Sequence, residues 1–147
     1  MKKNILLGVG NDIRGDDAIG EEVARGFERD GWDVEDCGTM PENFIPHIEE
    51  GIYQEVVIVD AANMGLEPGE IRRVPRDRLG VFTMSTHALP LSLVMDFLAG
   101  KAETVTLIGI QPKDMSLREG MTPELERAKG ELLELLMTDG WKDIPWL

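Results

Sequence analysis

The sequence has little of several features that would define its class at once. It contains one cysteine, Cys37, which excludes an internal disulfide and a cysteine-rich zinc site. Its 147 residues include only 15 Lys and Arg against 28 Asp and Glu, and the net charge is −13. Nucleic acid is therefore not an expected partner, because phosphate binding needs clustered basic side chains. No apolar stretch approaches the roughly 20 residues of a transmembrane helix, so no membrane association is expected.

The first residues, "MKKNILLGVGND", combine two lysines with an apolar run, as a secretory signal does. The run is only about six residues long and ends in Gly-Asn-Asp, which is shorter than the usual apolar region of a signal peptide. We therefore expect a cytoplasmic protein. The length and the 42% hydrophobic content fit a single domain over 1–147 with a substantial core.

Three continuous apolar runs, at 4–10, 55–61 and 104–110, indicate the main strands. They do not alternate with polar residues, which is typical of strands buried on both faces of a parallel sheet. Weaker strand candidates lie at 32–38 and 69–75. Because helical segments separate these strands, the sequence predicts an α/β fold: a three-layer α/β/α sandwich with a mostly parallel central sheet.

Helices are indicated by apolar residues that recur every three or four positions. One such series is Ile19, Val23 and Phe27, and a second is Leu89, Leu93 and Phe97. The last helix has Thr122 as its N-cap and Pro123 at its first position. Its apolar face comprises Leu125, Ala128, Leu132 and Leu136. The tail at 139–147 has no clear period, and core packing is the better interpretation of its two tryptophans.

Polar side chains follow the predicted strands at their carboxyl ends, where open α/β sheets bind ligands. The first strand leads to Asn11, Asp16 and Asp17, and the others lead to Asp36, Asp60, Asn63 and Gln111. The loop "TMSTHALPL" adds His87 just before a helix. Oxygen and nitrogen donors of this kind suit zinc, nickel or another borderline divalent ion.

Each of these residues also has a purely structural interpretation. The pair Asp16 and Asp17 could serve the first turn of a helix, and Asp60 could cap a turn at the end of its strand. His87 could be a packed or capping histidine. His47 looks like a helix-surface residue with no role, and Cys37 is better interpreted as a small buried residue than as a nucleophile.

The stretch "GVGNDIRGDDAIG", residues 8–20, superficially resembles a nucleotide-binding loop. The dinucleotide fingerprint needs a third glycine where Ile13 stands, and no Gly-Lys-Ser or Gly-Lys-Thr of a Walker loop is present. The aspartates, with only Arg14 nearby, would repel a pyrophosphate. Nucleotide binding is therefore disfavoured, and the glycines are interpreted as a tight connection that exposes the acids.

Five motifs occur in order along residues 4–137: "GVGNDIRGDDAIG", "DCGTMPEN", "IVDAANMGLEPGEIR", "STHALPL" and "LIGIQP". Together they resemble the nickel–iron hydrogenase maturation endopeptidases, most closely the subgroup that processes formate-hydrogenlyase-type large subunits. The resemblance implies an aspartate-type, nickel-dependent endopeptidase that acts as a monomer. Its partner would be a [NiFe] hydrogenase large-subunit precursor, from which it removes a C-terminal extension after nickel insertion.

The resemblance also implies which residues form the site. Asp17, Asp60 and His87 match the family's two carboxylates and histidine, which would be both catalytic and metal-binding. Asp36 and Gly38 match the substrate-binding motif, in which Cys37 replaces a common glycine. Nickel would be presented by the substrate, and zinc or cadmium could substitute for it in a crystal. An ordinary zinc metallopeptidase is not expected, since no H-E-x-x-H is present.

Two mechanisms are compatible with three protein ligands that leave coordination positions open. In the first, a bound metal polarises the scissile carbonyl or activates water. In the second, the three residues sense nickel already held in the precursor, so that the metal docks the substrate. An alternative function is a metal-sensing chaperone or binding module for hydrogenase assembly that does not cleave.

Overall fold

A computed structural model describes residues 2–40, 52–79, 83–84 and 88–147, with only the backbone of 83, 84 and 88–90. Within these ranges there are six strands, namely β1 (Lys3–Gly8), β2 (Trp32–Asp36), β3 (Tyr53–Asn63), β4 (Ile71–Val74), β5 (Thr83–Met84) and β6 (Ala102–Ile110). The described part of the chain also contains three α-helices, namely α1 (Ile19–Gly26), α2 (Ala88–Ala99) and α3 (Pro123–Leu136). Short 3-10 helices span Gly15–Ala18, Arg76–Arg78 and Asp139–Asp143.

The central sheet has the strand order β2-β1-β3-β6-β4. β1 pairs in parallel with β2 and β3, and β3 pairs in parallel with β6. The edge strand β4 runs antiparallel to β6, and the two-residue β5 pairs antiparallel with the end of β3. The predicted mostly parallel sheet is confirmed, and both weaker strand candidates are strands.

Helices cover both faces of the sheet, which confirms the three-layer sandwich. Alternate residues of each central strand point to opposite faces, so a continuous apolar run supplies two cores. The core beneath α1 and α3 includes Leu6, Val57, Val59, Ile19, Val23, Leu125 and Leu132. The core beneath α2 includes Ile5, Leu7, Val56, Ile58, Leu91, Val94 and Leu98.

The strand order reverses direction between β1 and β3. The chain leaves β1 through α1 to reach β2 on one side, whereas β3, α2 and β6 build the sheet on the other side. Right-handed crossovers in opposite directions place their helices on opposite faces. The crevice at the carboxyl ends of β1 and β3 is therefore the topological switch point, where sheets of this type bind ligands.

Two glycines let α1 lie close to the sheet at this switch point. A Cβ atom on Gly20 would overlap the backbone oxygens of Val9 and Val59. A Cβ atom on Gly8 would overlap the backbone oxygen of Gly20. The glycines of the opening motif therefore set the distance between helix and sheet.

The buried face of α2 differs from the predicted one. Leu93 and Phe97 are 60% and 54% exposed, whereas Leu91, Val94 and Leu98 are buried. The side chain of Leu89 lies outside the described residues. The segment "ALPLSLVMDFLA" has apolar residues on most of its circumference, so more than one face shows helical spacing. Packing against β6 buries the other face of α2.

Helix α3 matches its prediction, with Thr122 as N-cap, Pro123 at the first position and Leu125, Ala128, Leu132 and Leu136 buried. In the tail, Trp141 is buried in the core, as predicted. The prediction of core packing is wrong for Trp146, which is exposed. Its ring stacks on Arg73, whose guanidinium carbon lies 4.2 Å from the ring centroid. None of the helices in the described segments combines the length and the apolar character needed to cross a bilayer.

Candidate functional site

The adjacent acids Asp16 and Asp17 lie in the 3-10 turn Gly15–Ala18, one turn before α1, and have different surroundings. The fully buried carboxylate of Asp16 accepts hydrogen bonds from the backbone N–H groups of Lys113, Asp114 and Thr122, at 2.8, 2.9 and 2.7 Å. The Thr122 hydroxyl also donates to Asp16, at 2.9 Å. Asp16 therefore anchors the loop between β6 and α3 and does not serve the first turn of α1.

Asp17 is buried immediately beside the switch point. Its backbone carbonyl accepts the Asn11 N–H at 3.2 Å, which closes the loop that follows β1. The turn that contains Asp17 contacts β3, the strand that carries Asp60. The loop therefore brings Asp17, the second acid of "GDDAIG", to β3, the strand that carries the other predicted acid, Asp60.

Asp60 is fully buried and lies inside β3 rather than at its end, because the strand continues to Asn63. The prediction that Asp60 ends its strand is wrong. The last residue of β1, Gly8, pairs with Val59, so Asp60 is the first residue of β3 beyond the end of β1. Antiparallel pairing with β5 prolongs β3 past this point. Asp60 thus still lies at the switch point.

The third predicted ligand, His87, lies outside the described residues, as does His47. In the segments that the structure describes, no group of three or more His, Cys, Asp or Glu side chains is arranged to hold a metal ion. Asp17 and Asp60 supply two buried carboxylates, hard oxygen donors that fit part of a divalent-cation site. A cation there would offset some of the cost of burying their charge.

Asp36 is the last residue of β2, next to Gly8 in the sheet. One carboxylate oxygen accepts from Arg25 Nε at 2.9 Å, and the other accepts from the Gly38 N–H at 3.1 Å. Gly38 has a φ of +56°, which a glycine adopts without strain, and its carbonyl accepts the Gly10 N–H at 2.9 Å. These two residues tie the end of β2 to the loop after β1. Their role in substrate binding stays a prediction.

A cluster of charged residues beside Asp36 was not predicted. Arg25 contacts Asp36, Asp12 at 3.4 Å and Glu21 at 3.1 Å. Glu21 is 5% exposed, and its burial, with added repulsion from Asp36 and Asp12, raises its pKa to about 7 although Arg25 acts in the opposite direction. The carboxyl group is therefore partly protonated at neutral pH. The sequence does contain a sign of this cluster, because Glu21 and Arg25 are four residues apart on a predicted helix, a spacing that favours an ion pair.

Part of the predicted polar rim has a structural role. Gln111 is buried, and its carbonyl oxygen accepts the N–H groups of Met64 and Leu66 at 2.7 and 3.3 Å. Its amide nitrogen donates to Asn63 at 3.3 Å, and the Asn11 side chain accepts the Ile13 N–H at 3.2 Å. These amides stabilise the turns that follow β1 and β3.

Cys37 is buried in the α2-side core. Burial, followed by the charges of Glu35, Asp36 and Glu21, raises the pKa of its thiol to about 12. The thiolate that a nucleophile requires is therefore disfavoured. This confirms the interpretation of Cys37 as a small buried residue.

A cavity of about 500 Å³ lies between α3, β4 and the 139–145 segment. It is lined by charged residues such as Glu70, Arg127 and Glu131. None of the predicted site residues that the structure describes lines this cavity, so its size does not make it the candidate site.

Comparison with known proteins gives matches over nearly the whole chain. The family model HycI, described as hydrogenase maturation protease, matches residues 18–139. The hydrogenase 3 maturation protease of Escherichia coli K12 is 37% identical over 143 residues, which cover 95% of this chain and 90% of that protein. The solution structure of an E. coli endopeptidase HycI has a TM-score of 0.84 and 32% identity, and covers 99% of this chain and 96% of that one.

More distant structures share the fold. The E. coli hydrogenase maturating endopeptidase HybD has a TM-score of 0.79 and 23% identity, and covers 96% of this chain and 93% of that one. At this identity the likeness concerns the arrangement of the sheet and helices alone.

Proposed function

The chain belongs to the hydrogenase maturation protease family and is a peptidase, and from this premise we propose that it removes the C-terminal extension of a [NiFe] hydrogenase large-subunit precursor after nickel insertion. The observation that carries the proposal is the presence of two buried carboxylates, Asp17 and Asp60, at the topological switch point. We further expect the protein to act as a monomer in the cytoplasm.

In the proposed mechanism, Asp17, Asp60 and His87 recognise nickel that the precursor already holds. Docking through the metal would align the scissile peptide bond with the site, and precursor without nickel would be a poor substrate. The two carboxylates are suited to this task because buried anions at a switch point attract a cation strongly. Asp36 and Gly38 would position the peptide beside them.

The proposal is tested by mass spectrometry of the precursor's carboxyl-terminal peptide, with precursor from nickel-replete and nickel-starved cells. We expect the unmodified protein to trim only the nickel-replete precursor. We expect Asp17→Asn and His87→Ala to lower the rate of trimming at least about 100-fold. The thermal midpoint of unfolding should stay the same. Asp30→Asn, an exposed acid in the turn between α1 and β2, is the matched control and should trim normally.

Three outcomes would contradict this proposal. Normal trimming by both Asp17→Asn and His87→Ala would remove these residues from the mechanism. A stable complex with a precursor of unchanged mass would instead support the metal-sensing binding module. Equal trimming of nickel-free and nickel-loaded precursor would refute recognition through the metal.

A further inference from the structure

Two exposed apolar side chains lie side by side on the loops next to Asp17. A parallel bridge joins Arg14 to Arg118, so that Ile13 and Leu117 occupy adjacent positions of the two loops. The Arg118 N–H donates to the Ile13 carbonyl at 3.1 Å, and the Gly15 N–H donates to the Arg118 carbonyl at 3.2 Å. Ile13 is 59% exposed and Leu117 is 73% exposed. We call Ile13, Arg14, Leu117 and Arg118 the paired-loop surface.

The backbone beneath the paired-loop surface is held firmly. The buried Asp16 carboxylate binds the start and the end of the 113–122 loop, and the Asp16 N–H donates to the Asp114 carbonyl at 2.9 Å. Asp114 in turn accepts from the N–H and the hydroxyl of Ser116, at 2.9 and 2.6 Å. The two apolar side chains are therefore exposed on a fixed frame, which lowers the entropy cost of binding a partner through them.

The charge of the paired-loop surface differs from that of the molecule. The chain carries a net charge of −13, yet this surface presents two arginines. Arg118 pairs with Asp114 at 3.2 Å. Arg14 is exposed and makes no ion pair with any residue in the described ranges. A partner that places a carboxylate opposite Arg14 and an apolar side chain on Ile13 and Leu117 would match both features.

We propose that the paired-loop surface is a docking site for the protein substrate, where it binds an apolar segment that carries an acidic side chain. This inference rests on the proposed function, because it takes the precursor as the occupant. Ile13 and Arg14 of this surface lie on the same loop as Asp17, with only Gly15 and Asp16 between Arg14 and Asp17, so a substrate docked there lies next to the switch point. Binding at the paired-loop surface sets the affinity for substrate, whereas cleavage depends on the acids.

The test compares cleavage of nickel-loaded precursor by the unmodified protein and by the double variant Ile13→Ser, Leu117→Ser. Truncating residues that anchor an interface weakens substrate binding and not the chemical step, so KM should rise by at least about tenfold while kcat changes less than about twofold. Met137→Ser, an exposed apolar residue at the C-cap of α3, is the matched control and should leave KM unchanged.

A second measurement does not depend on activity. Hydrogen exchange of residues 12–15 and 115–119 should slow when precursor is added, and the double variant should lose this protection. Arg14→Glu should weaken precursor binding at low salt by at least about fivefold and much less at high salt, with Arg14→Gln intermediate.

Each result decides between the two proposals. An unmodified protein that does not cleave, but protects these residues in a complex that the double variant fails to form, refutes the proposed function and keeps the docking site. Normal cleavage with an unchanged KM for the double variant refutes the docking site alone. A concentration-dependent dimer that Leu117→Ser abolishes would also refute it, since the occupant would then be a second copy.

Discussion

Two adjacent aspartates have separate tasks in this protein. Asp16 receives four donors from residues 97 to 106 positions away in sequence, whereas Asp17 is the acid at the switch point that the family resemblance selects. The sequence presents the pair as one feature, because the partners of Asp16 come from a distant loop. We expect Asp16→Asn to lower stability strongly, since an amide nitrogen would face buried donors.

At the residue scale, Glu21 predicts a pH dependence of stability. Its carboxyl ionises near pH 4.5 in the unfolded chain and near pH 7 in the folded protein. The folded state therefore binds the proton more tightly, and stability falls as pH rises from about 4.5 to about 7. Replacing Glu21 by Gln removes this loss, so the variant should gain roughly 2 to 3 kcal/mol over the parent at pH 8 and little at pH 4.5.

Urea unfolding at pH 4.5 and pH 8 measures this difference. Glu22→Gln is the control on the same helical turn, because Glu22 is partly exposed and pairs with Lys129 at 3.3 Å. Its effect should be small at both pH values. If Glu21→Gln shifted stability equally at both pH values, the titration of Glu21 would not be the cause.

At the element scale, the position of α1 depends on glycine. Gly20→Ala should destabilise the protein by about 2 to 4 kcal/mol, because the added methyl group overlaps the backbone of Val9, just after β1, and of Val59 in β3. The same substitution at Gly130 in α3 meets no atom within 4 Å and should stabilise the protein by about 0.5 to 1 kcal/mol.

Chemical denaturation measures the change in the free energy of unfolding for both variants. The change in helix propensity is the same in the two, since each replaces a helical glycine by alanine. Opposite signs are expected. A stabilising Gly20→Ala would show that the helix can move away from the sheet at low cost. The denaturant concentration at which half of the trimming activity is lost should also be lower for Gly20→Ala, because α1 directly follows the turn that contains Asp17.

The helices also show the limit of periodicity as a guide. α3 has one apolar face, and its four predicted residues are the four that are buried. α2 has apolar residues around most of its circumference, and the predicted face was the exposed one for Leu93 and Phe97. Spacing identifies a buried face only when the opposite face is polar.

At the scale of the whole molecule, the charge of −13 predicts a response to salt. Repulsion among acids in the folded state is screened as ionic strength rises, because the Debye length falls from about 30 Å at 0.01 M to about 8 Å at 0.15 M. The thermal midpoint should rise by about 3 °C over this range, which corresponds to roughly 1 kcal/mol.

Differential scanning calorimetry in NaCl measures the shift. Reversing two exposed acids, Glu28→Lys and Glu126→Lys, changes the net charge from −13 to −9, since each reversal adds two positive charges. This variant should show a smaller salt response. An equal response would mean that specific ion effects, and not net charge, dominate.

The sequence by itself determined the fold class and the family. Continuous apolar runs predict strands buried on both faces, the α3 pattern predicts its own core face, and five motifs in order indicate the family. These features are local, or need only their order along the chain, so they can be recognised without a structure.

Tertiary structure decided what depends on contacts between distant segments. It gave Asp16 and Asp17 different surroundings and placed Asp60 inside β3. It also determined which face of α2 is buried, and that Trp141 is buried whereas Trp146 is exposed. It also brought Ile13 beside Leu117, more than 100 residues apart in sequence. The physical reason is the same in each case: a side chain's burial and hydrogen bonds are set by which segment packs against it, and local sequence does not specify that segment.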